Sequence, residues 1–242
     1  MQTIISLVPS LTELIAWLGA GDRLIGRTRF CVEPAGSIEH VPALGGTKDP
    51  DVTKICSLRP SLVLANREEN RRDDVEALRE TGLSVLLTDP NTVAEAASMI
   101  EEIGDAIGAS RPAAQLAADI RREIETPSPA HRPRVFVPIW LRPLMGMGSG
   151  TFGHDVLRAA GADNVLAGRP RYPETSLAEV SKLGPDLILL PDEPFRFQEK
   201  HVPPFAAVAP THIIDGKLMW WYGPRLPGSI RVLRALIAGQ AE

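Results

Sequence analysis

Two segments of this chain occur twice, and no other feature narrows its possible folds as much. Residues 19–30 read GAGDRLIGRTRF, and residues 161–172 read GADNVLAGRPRY. At a shift of 142 positions Gly19, Ala20, Leu24, Gly26, Arg27 and Arg29 meet Gly161, Ala162, Leu166, Gly168, Arg169 and Arg171, and Phe30 meets Tyr172. A second pair, SLRPSLVLA from Ser57 and SKLGPDLILL from Ser181, follows the first in both halves. Each member of that pair is a helix end, a proline turn and an apolar β run. Two similar segments in one order predict two related lobes.

A helix is expected between the halves, over residues 110–126 (SRPAAQLAADIRREIET). Ser110 suits the N-cap, and Pro112 sits in the first turn, where a missing N–H costs nothing. Leu116, Ile120 and Ile124 form one apolar stripe. The prolines of TPSPAHRP end it. The 242 residues then divide into an N-terminal lobe (1–108), a bridging helix (109–128) and a C-terminal lobe (129–242). Apolar runs at 3–8, 24–26, 61–65, 83–87, 134–139, 165–166, 187–190 and 212–214 alternate with helical patterns. That alternation predicts an α/β fold with parallel sheets. A further short strand is expected at 218–220.

The formal charge of −4, with no clustered basic face, argues against a nucleic-acid partner. No apolar run nears the roughly 20 residues that span a bilayer. Two cysteines, Cys31 and Cys56, are too few to dictate a disulfide framework. No basic n-region or cleavage site precedes the first strand. A cytoplasmic place is expected as the chain is given, or a periplasmic or surface-anchored one if a leader was removed. HExxH, CxxC, GxSxG and P-loop patterns are absent, so neither a metal nor an intrinsic cofactor is expected. Gly148, Gly150 and Gly153 form a GxGxxG ahead of a helix. No strand directly precedes it, so a glycine-rich helix entry is the reading.

In a parallel sheet, ligands bind beyond the carboxyl ends of the strands. The loops expected there hold seven of the chain's twelve aromatics. The candidate ligand-binding residues are Arg29 and Phe30; Gly46, Thr47 and Lys48; Asn66, Arg67 and Glu68; Trp140; Tyr172; Glu193 and Phe195; and Trp220, Trp221, Tyr222 and Arg225. Rings interleaved with arginines suit a flat, partly anionic ligand. One rival is an enzyme using Cys31, Lys48 or Glu68, with Arg27 and Arg29 lowering the thiol pKa. Another is a module that receives a protein loop.

The segments ISLVPSLTELIAWLGAGDRLIG, GGTKDPDVTKICSLRPSLVLA and YPETSLAEVSKLGPDLILL resemble the helical-backbone (class III) periplasmic-binding-protein-like family. These are the ABC-transporter substrate-binding proteins for cobalamin and ferric siderophores. The similarity runs from Ile4 to about Ile237 and is nearest the cobalamin binders. It implies two α/β lobes bridged by one helix and a non-enzymatic protein. It also implies a cobalamin-like corrinoid or another metal chelate (ferric siderophore, heme) held between the lobes. The protein would be a transport receptor, with an ABC permease as partner, or a cytoplasmic carrier or sensor. The family's cleft aromatics would fall on Phe30, Tyr172 and the Trp220–Tyr222 run, with Arg225 behind and Arg67 opening the pocket loop. The family's permease-docking acids are not matched: Thr53 and Ala178 stand there, with Glu179 beside the second.

Overall fold

The computed structural model describes residues 2–127 and 131–239. The first strand, β1 (Ile4–Ser6), is wholly buried and leads into α1 (Pro9–Ile15), which has Pro9 in its first turn. The helical run that follows breaks at Gly19, whose φ of 76° is a left-handed conformation open to glycine without steric cost. Then come β2 (Leu24–Arg27), α2 (Val52–Leu58), β3 (Leu62–Asn66), α3 (Arg72–Glu80) and β4 (Val85–Thr88). Asp51 starts α2 by accepting the Lys54 N–H. The four strands form one parallel sheet in the order β2-β1-β3-β4. Ile5, Leu7, Leu44, Ile55, Val63 and Leu78 pack its core.

Two helices, α4 (Val93–Ala106) and α5 (Ser110–Glu125), come next. They are followed by β5 (Arg134–Phe136) and a hairpin of β6 (Pro138–Leu141) and β7 (Leu144–Gly146). The chain goes on through α6 (Phe152–Ala159), β8 (Asp163–Asn164), α7 (Leu177–Leu183), β9 (Leu187–Pro191), α8 (Val202–Ala206), β10 (Thr211–Ile214), α9 (Lys217–Trp220) and α10 (Leu226–Ile237). The second sheet is also parallel, in the order β10-β9-β5-β8. Phe136, Ile188, Leu190, Phe197 and Phe205 fill the core against it.

Listed from its other edge, the second sheet runs β8-β5-β9-β10, which is the order of the first. The repeated segments hold equivalent places: β2 and β8 follow the first repeat's glycine turn, and β3 and β9 carry the second. The backbone repeats as well. Gly19 and Gly161 are both left-handed, at φ 76° and 92°. So are Arg59 and Gly184, at 46° and 61°, one residue ahead of Pro60 and Pro185.

The chain forms two compact units interleaved in sequence. The first takes residues up to Pro90, Ala97–Ala118 and Tyr222–Pro224. The second takes Asn91–Ala96, Asp119–Trp221 and the residues from Arg225 on. Both α4 and α5 therefore contribute residues to both units. The boundary expected at 128/129 lies outside the described residues.

Three local expectations change. The run at 134–139 breaks at Val137 into β5 and the hairpin strand β6. Residues 165–166 are turn rather than strand, because the Asn164 side chain accepts the Leu166 N–H and draws the chain out of the ladder. Residues 218–220 are helical: the Asp192 and Asp215 carboxylates accept the Gly216 and Lys217 N–H groups and start α9 there. Among the described residues no helix is long and apolar enough to cross a membrane.

Candidate ligand-binding loops

In the first unit, β2 leads into Arg29 and Phe30. The Arg29 backbone N–H donates to the Gly45 carbonyl at 2.8 Å, and its guanidinium meets the Asp49 carboxylate at 3.0 Å. Gly46 lies beneath that pair: a Cβ there would stand 2.4 Å from Asp49 Oδ1 and 2.8 Å from Arg29 Nη2. The Arg29 guanidinium carbon sits 4.9 Å from the Phe30 ring centroid, and Phe30 is 52% exposed. Beyond β3, Asn66 is fully buried. Its Oδ1 accepts the Glu68 N–H and its Nδ2 donates to Thr88 Oγ1, so it shapes the loop from inside and presents nothing to solvent. Asn70 does similar work, donating to the Leu7 and Thr47 carbonyls. Thr47 is buried, and the exposed Lys48 donates through Nζ to the Glu68 carbonyl at 2.6 Å. Burial pushes the half-buried Glu69 carboxyl up, with the Lys48 charge opposing. Arg67 pairs with Asp89 at 3.2 Å.

Cys31 overturns one expectation. It is fully buried, with Thr28 Oγ1 3.1 Å from its sulfur, and burial pushes the thiol up. Arg27 spends its guanidinium on the carbonyls of Ile38, Thr28 and Cys31 itself. Its lowering effect on the thiol is the smallest of those acting there. A reactive thiolate is not favoured at this position.

In the second unit, the repeat reproduces the arginine–aromatic pair. Arg171 lies with its guanidinium carbon 5.3 Å from the centroid of Tyr172, which is half-buried. It donates to Asn91 Oδ1 at 3.0 Å and to the Gly150 carbonyl at 2.6 Å. The Trp220–Tyr222 run differs from a set of exposed walls, since Trp221 and Tyr222 are only 7% and 5% exposed. Trp221 donates through Nε1 to Glu193 Oε1 at 2.8 Å, and Arg225 and Lys217 lie 4.8 and 5.2 Å from its ring centroid. Trp220 donates to the Glu193 carbonyl, and its ring covers Gly153. Burial pushes the Glu193 carboxyl up, opposed by the Trp221 bond and reinforced by Asp192 and Asp215. Trp140 is 44% exposed and meets Phe195 edge-on at 5.5 Å. Lys200 and His201 stand beside these rings on a short helical turn that sequence reasoning missed. Its cap is Gln198 with His201 in place of the usual Ser/Thr and Glu, so no common signal marks it. Among the described residues no three His, Cys, Asp or Glu side chains gather as a metal site.

Two α/β units of one topology, each with rings and cations in loops beyond its strand ends, define the two-lobed binding-protein class. The chain belongs to the periplasmic binding protein family, whose model matches residues 4–200. It is 31% identical over 202 residues to the uncharacterized ABC transporter substrate-binding lipoprotein YvrC of Bacillus subtilis (strain 168), covering 79% of this chain and 64% of YvrC. It is 27% identical over 196 residues to the vitamin B12-binding protein of Yersinia pestis (strain Pestoides F), covering 78% of this chain and 69% of that one. The chain thus spans about two thirds of the length of these relatives. The apo structure of the periplasmic heme-binding protein RhuT from Roseiflexus sp. RS-1 shares its fold, with a TM-score of 0.82 over 100% of this chain and 99% of RhuT at 20% identity. All three are binding proteins by name.

Proposed function

We propose that this protein is the substrate receptor of an ABC transporter, and that it binds a cobalamin-like corrinoid or another metal chelate with loops beyond its strand ends. The observation that carries this is the doubled arginine–aromatic pair. Arg29 with Phe30 and Arg171 with Tyr172 occupy repeat-equivalent positions after β2 and β8. A guanidinium resting on a ring contributes about 0.5–1 kcal/mol at an exposed site. The pair offers a flat ligand a stacking face beside a fixed positive charge. The names of YvrC and of the vitamin B12-binding protein support both the transport role and the ligand class. They also favour a periplasmic or surface-anchored working place over the cytoplasmic one.

Docking to the permease would need groups other than acids at the two expected positions. Thr53 and Ala178 are exposed there, and Glu179 is held by Arg169 and Thr175. Thermal denaturation with cyanocobalamin, hemin or a ferric siderophore tests the ligand class. A ligand at 100 times its Kd that binds only the folded chain adds about 2.7 kcal/mol and raises the Tm. Phe30→Ala and Tyr172→Ala should each weaken that ligand about tenfold. An unmoved Tm with every one of these ligands at millimolar concentration would sink the proposal.

A further inference from the structure

Most arginines and lysines expected at the site are already engaged. Arg29 holds Asp49, Arg67 holds Asp89, Lys48 donates to the Glu68 carbonyl, and Arg171 is bound to Asn91 and Gly150. Arg142 and Lys200 are different. Both are exposed, and neither side chain has a hydrogen bond or ion pair among the described residues. They flank a groove of about 560 Å³ on the second unit, walled by Trp140, Leu141, Phe195 and His201. That volume lies in the range of small-molecule sites.

The aromatic wall is held in place before any ligand arrives. Trp140 Nε1 donates to the Arg142 carbonyl at 3.1 Å, fixing the indole over the hairpin tip. Phe195 packs edge-on between Trp140 and Phe197, with centroids 5.5 and 4.8 Å away. His201 Nδ1 accepts the Gln198 N–H at 3.0 Å, so the neutral ring carries its hydrogen on Nε2. The free polar groups on the wall's side chains are therefore donors: a guanidinium, an ammonium and an imidazole N–H. No side chain lining the groove offers a free acceptor of comparable strength. A carboxylate finds charge-assisted partners there. A primary amide has no charge to offer and leaves its own N–H groups unmet.

We propose that Arg142 and Lys200 are specificity-determining residues, and that this groove selects a flat ring ligand bearing carboxylates over one bearing amides. The proposal rests on the metal-chelate function above and narrows its ligand class. The test uses absorbance titrations of the full chain with two probes: hemin, a macrocycle with two carboxylates, and cyanocobalamin, whose ring periphery carries amides. Hemin should bind at least tenfold more tightly, and its affinity should fall as salt rises. The double variant Arg142→Gln/Lys200→Gln should lose at least tenfold for hemin and stay within twofold for cyanocobalamin. Its Tm should match the parent, because neither side chain has a partner to lose. If cyanocobalamin is the tighter ligand, or the double variant keeps its hemin affinity or weakens both probes alike, the selectivity claim fails while the chelate function stands. If neither probe binds the parent chain, the selectivity claim falls alone, and the chelate function is then decided by the Tm with a ferric siderophore.

Discussion

Gly148 and Gly153 belong to a GxGxxG, and each is glycine for a reason unconnected with nucleotides. A Cβ on Gly148 would stand 2.2 Å from the Arg169 carbonyl oxygen and 2.9 Å from that of Arg171. Both are backbone atoms of the second repeat copy, which the Gly148 N–H also joins through the Arg171 carbonyl at 2.7 Å. Gly148→Ala should cost about 2–4 kcal/mol in urea denaturation, since backbone cannot swing aside. Gly168→Ala is the control: nothing lies within 4 Å of its Cβ position, so it should stay within about 0.5 kcal/mol. Equal losses at both positions would refute the steric account. Glu193 makes a prediction in pH. Burial raises its pKa above the ordinary 4.5, so the folded chain favours the protonated acid. Its stabilising contribution is whole below that ordinary value and is lost as pH rises through the raised one. Glu193→Gln keeps an acceptor for Trp221 and removes the titration. The variant should therefore gain on the parent between pH 4 and pH 7, read as urea midpoints, and a variant that holds level with the parent or loses ground to it over that range would count against the prediction. Phe30 and Tyr172 were legible from the repeat because similar sequence places similar side chains. The burial of Asn66, Trp221 and Tyr222 was not, because a polar or aromatic residue after a strand reads the same whether it faces ligand or core.

At the scale of elements, α4 depends on a residue 62 positions away. Asp155 Oδ2 accepts the Val93 N–H at 2.8 Å, and Asp155 is itself buried and paired with Arg158. Val93 is the first residue of α4 and fully buried, so its N–H has no water to turn to. Asp155→Ala should cost about 2 kcal/mol, from an unmet buried donor together with a lost cap. Asp155→Asn keeps an acceptor and should recover more than half of that in the same denaturation series. A loss below about 0.5 kcal/mol for the alanine variant would show the cap to be idle. Nothing in the sequence near 93 announces this partner, since a cap from another element leaves no local spacing. The alternation of strand and helix was legible, because apolar period and proline turns are local. The β6–β7 hairpin was not: Val137 sits between two apolar runs that read as one strand, and only the pairing of Leu141 with Leu144 shows where the chain reverses. The three apolar residues of 218–220 are too few to carry a helical or strand period, so the carboxylate caps decided.

For the whole molecule, the repeat foretold two units of one topology but not their interleaving. Short pieces such as 91–96 and 222–224 join a unit through partners distant in sequence, and such partners leave no mark on composition. The first unit is completed by a tripeptide more than 130 residues beyond its main body. Within that unit, Tyr222 is buried, and Gly223 sits at φ 110° with Leu14 Cβ 3.5 Å and the Ser10 carbonyl oxygen 3.6 Å from where its own Cβ would be. A β-branched residue cannot hold that φ without strain, and relaxing it presses on α1 near the other end of the chain. Gly223→Val should therefore lower the Tm and loosen the first unit selectively. Hydrogen exchange would locate the effect: amides of β1 and α1, residues 4–15, should lose more protection than those of α10, which lies only three residues from the substitution. Loosening confined to residues 216–237, with the N-terminal strand and helix as slow as in the parent, would mean that unit 1 holds together without its distant tripeptide.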